Sequence, residues 1–245
     1  MAKYMKTIVL IHGAWHGAWC WYKVVPLLEQ HGYRVITPDL PGHGRDRTPL
    51  SDVTLELYTD RICRLITELD GPVVLLGHSM SGIVISRVAE RIPESISKLV
   101  YLTGFMLENG VSLLDTALAD NEAVVEPNLI ISRDRISATL SDEHFTQAFY
   151  LDCSPQEIEF AIANVTPQAL APFAEPVIVS EENWGSVPRS YIECTLDNAI
   201  TIKAQREMYH RYPCDPVLTM DTAHSPFFSA PEKLVENILL CAGDN

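Results

Sequence analysis

Ser79 stands at the centre of Gly77-His78-Ser79-Met80-Ser81-Gly82, directly behind the apolar run Val73–Leu76. Small residues around a serine let a strand turn sharply into a helix, and such a turn holds the hydroxyl clear of the sheet at the helix N-terminus. The spacing matches G-x-S-x-G except at its last position, where Ser81 stands and Gly82 follows; serine is small enough for the same turn. A serine hydroxyl is a poor nucleophile until a base takes its proton, so a histidine has to return to this sheet edge from later in the chain. His224 meets that need, because it follows the apolar run Val217–Met220 within Asp221-Thr222-Ala223-His224-Ser225-Pro226. His43, in the Pro41–Gly44 turn, reads instead as a turn residue, and His78 as a packing neighbour of the serine.

The histidine needs a carboxylate that fixes its tautomer and steadies its positive charge. Asp197, in Cys194-Thr195-Leu196-Asp197-Asn198, completes the chain order serine, aspartate, histidine. Asp221 and Asp215 are its rivals, one too near His224 in sequence and the other at the wrong end of its strand. Negative charge developing on an attacked carbonyl calls for fixed N–H donors. The residue after the serine and the loop after the first strand supply them, as the amides of Met80 and Ala14. That loop, His12-Gly13-Ala14-Trp15-His16-Gly17, carries a glycine where backbone must come close to substrate. Gly13, Trp15 and Phe105 are the expected substrate contacts, although Trp15, Met80 and Phe105 read equally well as core packing.

These residues have to be held by a scaffold, and the chain alternates short β-branched runs with helical patterns from end to end. That alternation predicts an α/β fold, a mostly parallel six-stranded core sheet with helices on both faces. The expected strands are Thr7–His12, Arg34–Thr37, Val73–Leu76, Leu99–Leu102, Ser190–Cys194 and Val217–Met220. Tyr58, Ile62, Leu65, Ile66 and Leu69 recur at helical spacing, which predicts an amphipathic crossover helix over 54–69. Ser229 and Glu232, with Pro231 between them, predict a capping box at the start of the last helix. The rhythm breaks after Leu102 and resumes at Arg189. An inserted helical lid is therefore expected over 104–186, with 1–103 and 187–245 forming the catalytic domain. Inside that insertion Ser154-Pro155-Gln156-Glu157 predicts a capped helix, and Phe145, Phe149, Tyr150 and Phe160 supply bulky apolar surface.

The 245 residues are 47% hydrophobic and 20% charged, enough apolar material for a buried core. Eighteen basic against 32 acidic side chains give a net charge of -14, which disfavours nucleic acid as a partner. The apolar run Thr7–Ile11 behind the Lys-bearing start is too short for a signal peptide or a membrane span, so a cytoplasmic protein is expected. The six cysteines form no C-x-x-C pair and read as free thiols used in packing.

Taken together, His12 to Trp19, Asp39-Leu40-Pro41-Gly42-His43-Gly44, the turn at Ser79, Trp184 to Ile192 and Cys194 to Asp197 resemble a branch of the α/β-hydrolases. It is the branch of the plant methylesterases and hydroxynitrile lyases, with their bacterial esterase relatives. The resemblance implies a helical lid over the site, no cofactor and no metal, small hydrophobic or aromatic carboxylic esters as substrates, and a homodimer as one option, since dimers are common among the plant relatives. It also raises a rival, cleavage of cyanohydrins by the same three residues. The lyases typically carry threonine where this chain has Gly13 and lysine directly after the histidine, where this chain has Ser225, so the residues favour an esterase. A ligand receptor built on a hydrolase scaffold is the rival from another class.

Overall fold

The computed structural model describes residues 6–243. Residues 1–5, with the Lys-bearing start, and residues 244–245 lie outside the described residues. The chain opens with β1 (Thr7–Ile11), α1 (Val24–Gln30), β2 (Arg34–Ile36), α2 (Leu55–Thr67), β3 (Val73–His78), α3 (Ser81–Arg91) and β4 (Ile96–Leu102). An excursion then carries α4 (Leu113–Ala119), β5 (Ile130–Ile131), β6 (Ser137–Thr139), α5 (Asp142–Phe149), α6 (Pro155–Asn164), β7 (Gln168–Ala169) and α7 (Ala171–Ala174). The chain closes with β8 (Arg189–Cys194), α8 (Ile202–Arg211), β9 (Val217–Met220), α9 (Pro226–Ser229) and α10 (Pro231–Cys241).

The six expected strands form one sheet in the order β2-β1-β3-β4-β8-β9, parallel throughout. Parallel crossovers are right-handed as a rule, so a reversal of direction across the sheet moves the connecting helices to the other face. The order reverses at β1: α1 crosses one way toward β2, and α3 crosses the other way toward β4. Both faces are thereby covered, α1 packing on α10 and α2 on α3. With both faces covered, β1, β3 and β8 are buried along their whole length, which is why β1 and most of β3 read as apolar runs; β8 is buried as well but carries Arg189, Ser190 and Glu193. The crevice where the order reverses, between the carboxyl ends of β1 and β3, is where an open α/β sheet binds ligands.

Thr54 caps α2 by accepting from the Leu57 N–H at 3.0 Å, and Ser154 with Glu157 forms the expected capping box on α6. The cap expected at Ser229 does not form. The chain makes the extra turn of α9 there, Ala230 takes the cap position of α10 without a side-chain bond, and the buried Ser229 hydroxyl finds no partner among the described residues. The excursion also contains a small antiparallel sheet in the order β5-β6-β7, which the sequence pattern does not announce. Among the described residues no helix is long and apolar enough to cross a membrane. All six cysteines are unpaired, three of them buried.

Candidate active site

Ser79 leaves β3 with φ +55°, a left-handed conformation that costs a non-glycine residue about 1–3 kcal/mol and persists only where its surroundings enforce it. They do. The Ser79 N–H donates to the Leu102 carbonyl at 3.2 Å, and its own carbonyl accepts from Gly82 and Phe105, both at 3.0 Å. The turn is so tight that a Cβ at Gly77 would lie 2.5 Å from the Ser81 carbonyl oxygen, and one at Gly82 2.4 Å from that of Phe105. Serine in place of the pattern's last glycine has a use, since the Ser81 hydroxyl donates to the His12 carbonyl and ties the turn to the loop after β1. That loop lies directly against the serine: a Cβ at Gly13 would sit 3.0 Å from the Ser79 Cβ and 2.8 Å from His78 Nδ1. Ala14 and Met80, whose amides flank this spot in the chain, are both buried.

His224 is fully buried on the loop between β9 and α9, and its Nδ1–H donates to Asp197 Oδ2 at 2.6 Å. Nδ1 is thus protonated and Nε2 carries the lone pair; Nε2 is buried and has no hydrogen-bond partner among the described residues. Asp197 is held from several sides. Its Oδ1 accepts from the Ala199 and Ile200 N–H groups at 2.7 and 2.9 Å, and its Oδ2 also accepts from the Thr103 hydroxyl at 2.5 Å and the Gln205 amide at 3.4 Å. Asp221 is occupied elsewhere, accepting from the Thr195 hydroxyl at 3.0 Å. His78 does more than pack: its Nε2–H donates to the His224 carbonyl at 2.9 Å, tying the residue before Ser79 to the histidine loop. Asp152 of the excursion holds the same loop by accepting from the Ala223 N–H at 2.9 Å.

Three more imidazoles crowd this edge. His12 Nδ1–H donates to the Gly13 carbonyl at 2.8 Å while Nε2 accepts from the Leu40 N–H at 3.0 Å. His16 Nδ1–H donates to the Ala14 carbonyl at 2.7 Å and Nε2 accepts from the Tyr150 hydroxyl, also at 2.7 Å. His43 contacts the Pro41 carbonyl and the Gln168 amide, as a turn residue would. Burial favours the neutral ring in all of them. It pushes His16 down to about 4 and holds His12 and His78 well below the ordinary histidine value.

A cavity beside Ser79 is lined by Trp15, Phe149, Phe173, Leu113, Leu129 and Glu126, among others. Trp15, at φ +62°, is locked by its indole N–H donating to the Ala138 carbonyl at 3.0 Å and packs edge-on against Phe145, Phe149 and Phe173. Phe105 lies outside this lining and meets the serine through its backbone instead. Phe160 is 38% exposed and packs on Trp19, away from the cavity. Sequence reasoning missed Thr103 and Gln205, which hold Asp197. For Thr103 a signal existed, a polar side chain at the carboxyl end of a central strand beside the serine turn.

A buried carboxylate, an oriented imidazole with a free lone pair and a serine on a strained turn can together move a proton and form a covalent ester. The sequence profile of the alpha/beta hydrolase family matches residues 8–237. The chain belongs to the alpha/beta hydrolase family. Within this family it is 34% identical to Methylesterase 2 of Arabidopsis thaliana, over 98% of this chain and 97% of that protein. It is also 34% identical to a pyrethroid hydrolase of Sphingobium wenxiniae, over 96% and 86%. Its fold superimposes on that of polyneuridine aldehyde esterase with a TM-score of 0.87 at 26% identity, covering 97% of this chain and 99% of that one.

Proposed function

We propose that the protein is a serine carboxylesterase that hydrolyses small hydrophobic or aromatic carboxylic esters through an acyl-enzyme. The observation that carries this reading is the 2.6 Å bond from His224 Nδ1 to Asp197, which leaves Nε2 as the proton acceptor. His224 takes the proton of Ser79 as its hydroxyl oxygen attacks the ester carbon, and then gives it to the leaving alcohol. Asp197 keeps the ring in that tautomer and stabilises the imidazolium. The amides of Met80 and Ala14 receive the oxyanion of each tetrahedral intermediate. Water, activated by the same imidazole, releases the acid and restores the serine. The apolar cavity beside Ser79 supports hydrophobic acyl groups, and residues 104–186 act as the lid that keeps solvent from it. Six unpaired cysteines support work in a reducing compartment, the cytoplasm, and the net charge of -14 supports a protein that leaves nucleic acid alone.

The esterase reading is favoured over cyanohydrin cleavage because no cation follows His224. Ser225 stands there, fully buried, so cyanide would leave without a positive neighbour. The test is a panel of p-nitrophenyl acetate, methyl esters of aromatic acids and mandelonitrile offered to the purified protein. The expected outcome is steady ester hydrolysis with little cyanide release. Comparable rates on mandelonitrile would promote the lyase, and a single turnover without steady hydrolysis would promote the receptor.

A further inference from the structure

Two histidines outside the triad hold the loop that carries Ala14. The peptide joining Gly13 to Ala14 lies against Ser79, and its carbonyl accepts from His12 Nδ1–H at 2.8 Å. The next peptide, from Ala14 to Trp15, has its carbonyl accepting from His16 Nδ1–H at 2.7 Å. A carbonyl can only accept, so both rings carry a proton on Nδ1 and offer a lone pair at Nε2. Each lone pair has its own donor, the Leu40 N–H at 3.0 Å for His12 and the Tyr150 hydroxyl at 2.7 Å for His16. Both rings and Tyr150 are buried, and burial keeps the rings neutral, which preserves those lone pairs. Trp15 follows at φ +62°, a strained conformation that persists only where neighbours enforce it. The excursion enforces it, because the Thr166 N–H donates to the Trp15 carbonyl at 2.9 Å and the Trp15 indole donates to the Ala138 carbonyl. The Ala14 N–H itself makes no hydrogen bond among the described residues.

We propose that His12, His16 and Tyr150 are positioning residues for the oxyanion hole. The two imidazoles clamp the peptides on either side of Ala14, and the Tyr150 hydroxyl, reaching in from the excursion, sets the tautomer that lets His16 do so. The proposal rests on the esterase reading, in which the Ala14 N–H meets the negative oxygen of each tetrahedral intermediate. Without the Tyr150 hydroxyl the His16 proton is free to move to Nε2. Nδ1 then turns a lone pair toward the Ala14 carbonyl, and two acceptors repel. A carbonyl that accepts a hydrogen bond polarises its own peptide, so His12 also makes the Ala14 N–H a better donor. Donors aimed in advance act on charge that develops in the transition state. Losing their aim therefore lowers kcat and leaves ground-state binding alone.

The experiment compares Tyr150→Phe, His12→Asn and His12→Gln with wild type on p-nitrophenyl acetate, with 1,1,1-trifluoroacetone as a second probe. The Ser79 oxygen bonds to the carbonyl carbon of that ketone, the π pair moves onto the ketone oxygen as an oxyanion, and the hydroxyl proton goes to His224 Nε2. The amide nitrogen of asparagine lies near the place of Nδ1 and still donates to the Gly13 carbonyl. Glutamine reaches the Leu40 N–H instead and leaves that carbonyl bare. Tyr150→Phe and His12→Gln are expected to lose about tenfold in kcat and in trifluoroacetone affinity, with KM within about twofold of wild type. That is a fraction of the roughly 10²–10³ that loss of a whole oxyanion donor costs. His12→Asn is expected to stay within about threefold in both readouts. Each His12 variant gives up one of two bonds, so their urea midpoints should fall alike, which separates aiming the donor from supporting the fold. Full kcat in folded Tyr150→Phe and His12→Gln, or a raised KM with kcat and trifluoroacetone affinity unchanged, would overturn the proposal. Equal losses in His12→Asn and His12→Gln would do the same. A wild type that takes up trifluoroacetone without hydrolysing the ester would sink the esterase reading alone, and the ketone affinities of the variants would then decide the clamp.

Discussion

Two carboxylates sit on neighbouring segments, joined by the Val124 N–H donating to the Asn198 carbonyl at 2.8 Å, and are treated in opposite ways. Asp197, on the loop after β8, accepts from two backbone amides, a threonine, a glutamine and the histidine it serves. Glu126, on the excursion between β4 and β8, has a buried Oε2 without a hydrogen-bond partner among the described residues. The difference teaches which part of the site is finished before substrate arrives. A group that orients a base has to hold one geometry through every turnover, so it is surrounded by donors that fix it.

The largest expected effect breaks the finished side. Asp197→Asn keeps the shape but offers His224 Nδ1 an amide in place of a carboxylate, and kcat should fall by about four orders of magnitude. Asp221→Asn, which touches Thr195 rather than the histidine, should stay within about twofold of wild type by the same reasoning. A worse loss in Asp221→Asn, measured as kcat on p-nitrophenyl acetate, would move the carboxylate to the other loop and dissolve the contrast.

A smaller effect sharpens the comparison by titrating the imidazoles packed around the finished side. His16 holds a folded value of about 4 against an ordinary 6.5. Between those two values the unfolded chain binds a proton that the folded chain refuses, so stability falls as pH drops through 6.5 and levels off below 4. His16 alone accounts for about 3 kcal/mol across that window, and His12 and His78 act in the same direction. Urea midpoints at pH 7.5 and pH 5 should therefore differ, and the drop should shrink in His16→Gln. An unchanged drop in that variant would remove this ring from the balance.

The legible parts of the molecule were those whose cause is local. β1 and most of β3, buried on both faces, read as apolar runs, and β1, β3, β8 and β9 came out within two residues of their expected ends; β4 begins three residues earlier, at Ile96. The strained turn at Ser79 was legible because it is a local pattern, and the Asp197–His224 pair because both follow strands in a fixed chain order. What stayed hidden depends on distant chain meeting. Thr103 and Gln205 reach Asp197 from the bend after β4 and from α8, and no periodicity joins those positions. Glu126 sits in a stretch without repeating pattern, where a lone glutamate reads as a solvated charge. Phe105 read equally well as a substrate contact or as core packing; it is buried, lies outside the cavity lining and meets the serine through its N–H. At Ser229 the local signal was present but outweighed, because the extra turn of α9 consumed the residues that would have formed the cap.

The account rests on Ser79 as the atom that forms the covalent bond, and the steady-state rate of Ser79→Ala on p-nitrophenyl acetate tests it most directly. The substitution removes one hydroxyl from a residue whose backbone bonds hold the turn, so the variant should keep its fold by circular dichroism. Its kcat should fall by several orders of magnitude. A folded Ser79→Ala protein that retained more than about a tenth of the wild-type rate would contradict the assignment, since residual catalysis from oxyanion donors and binding alone falls far below that level.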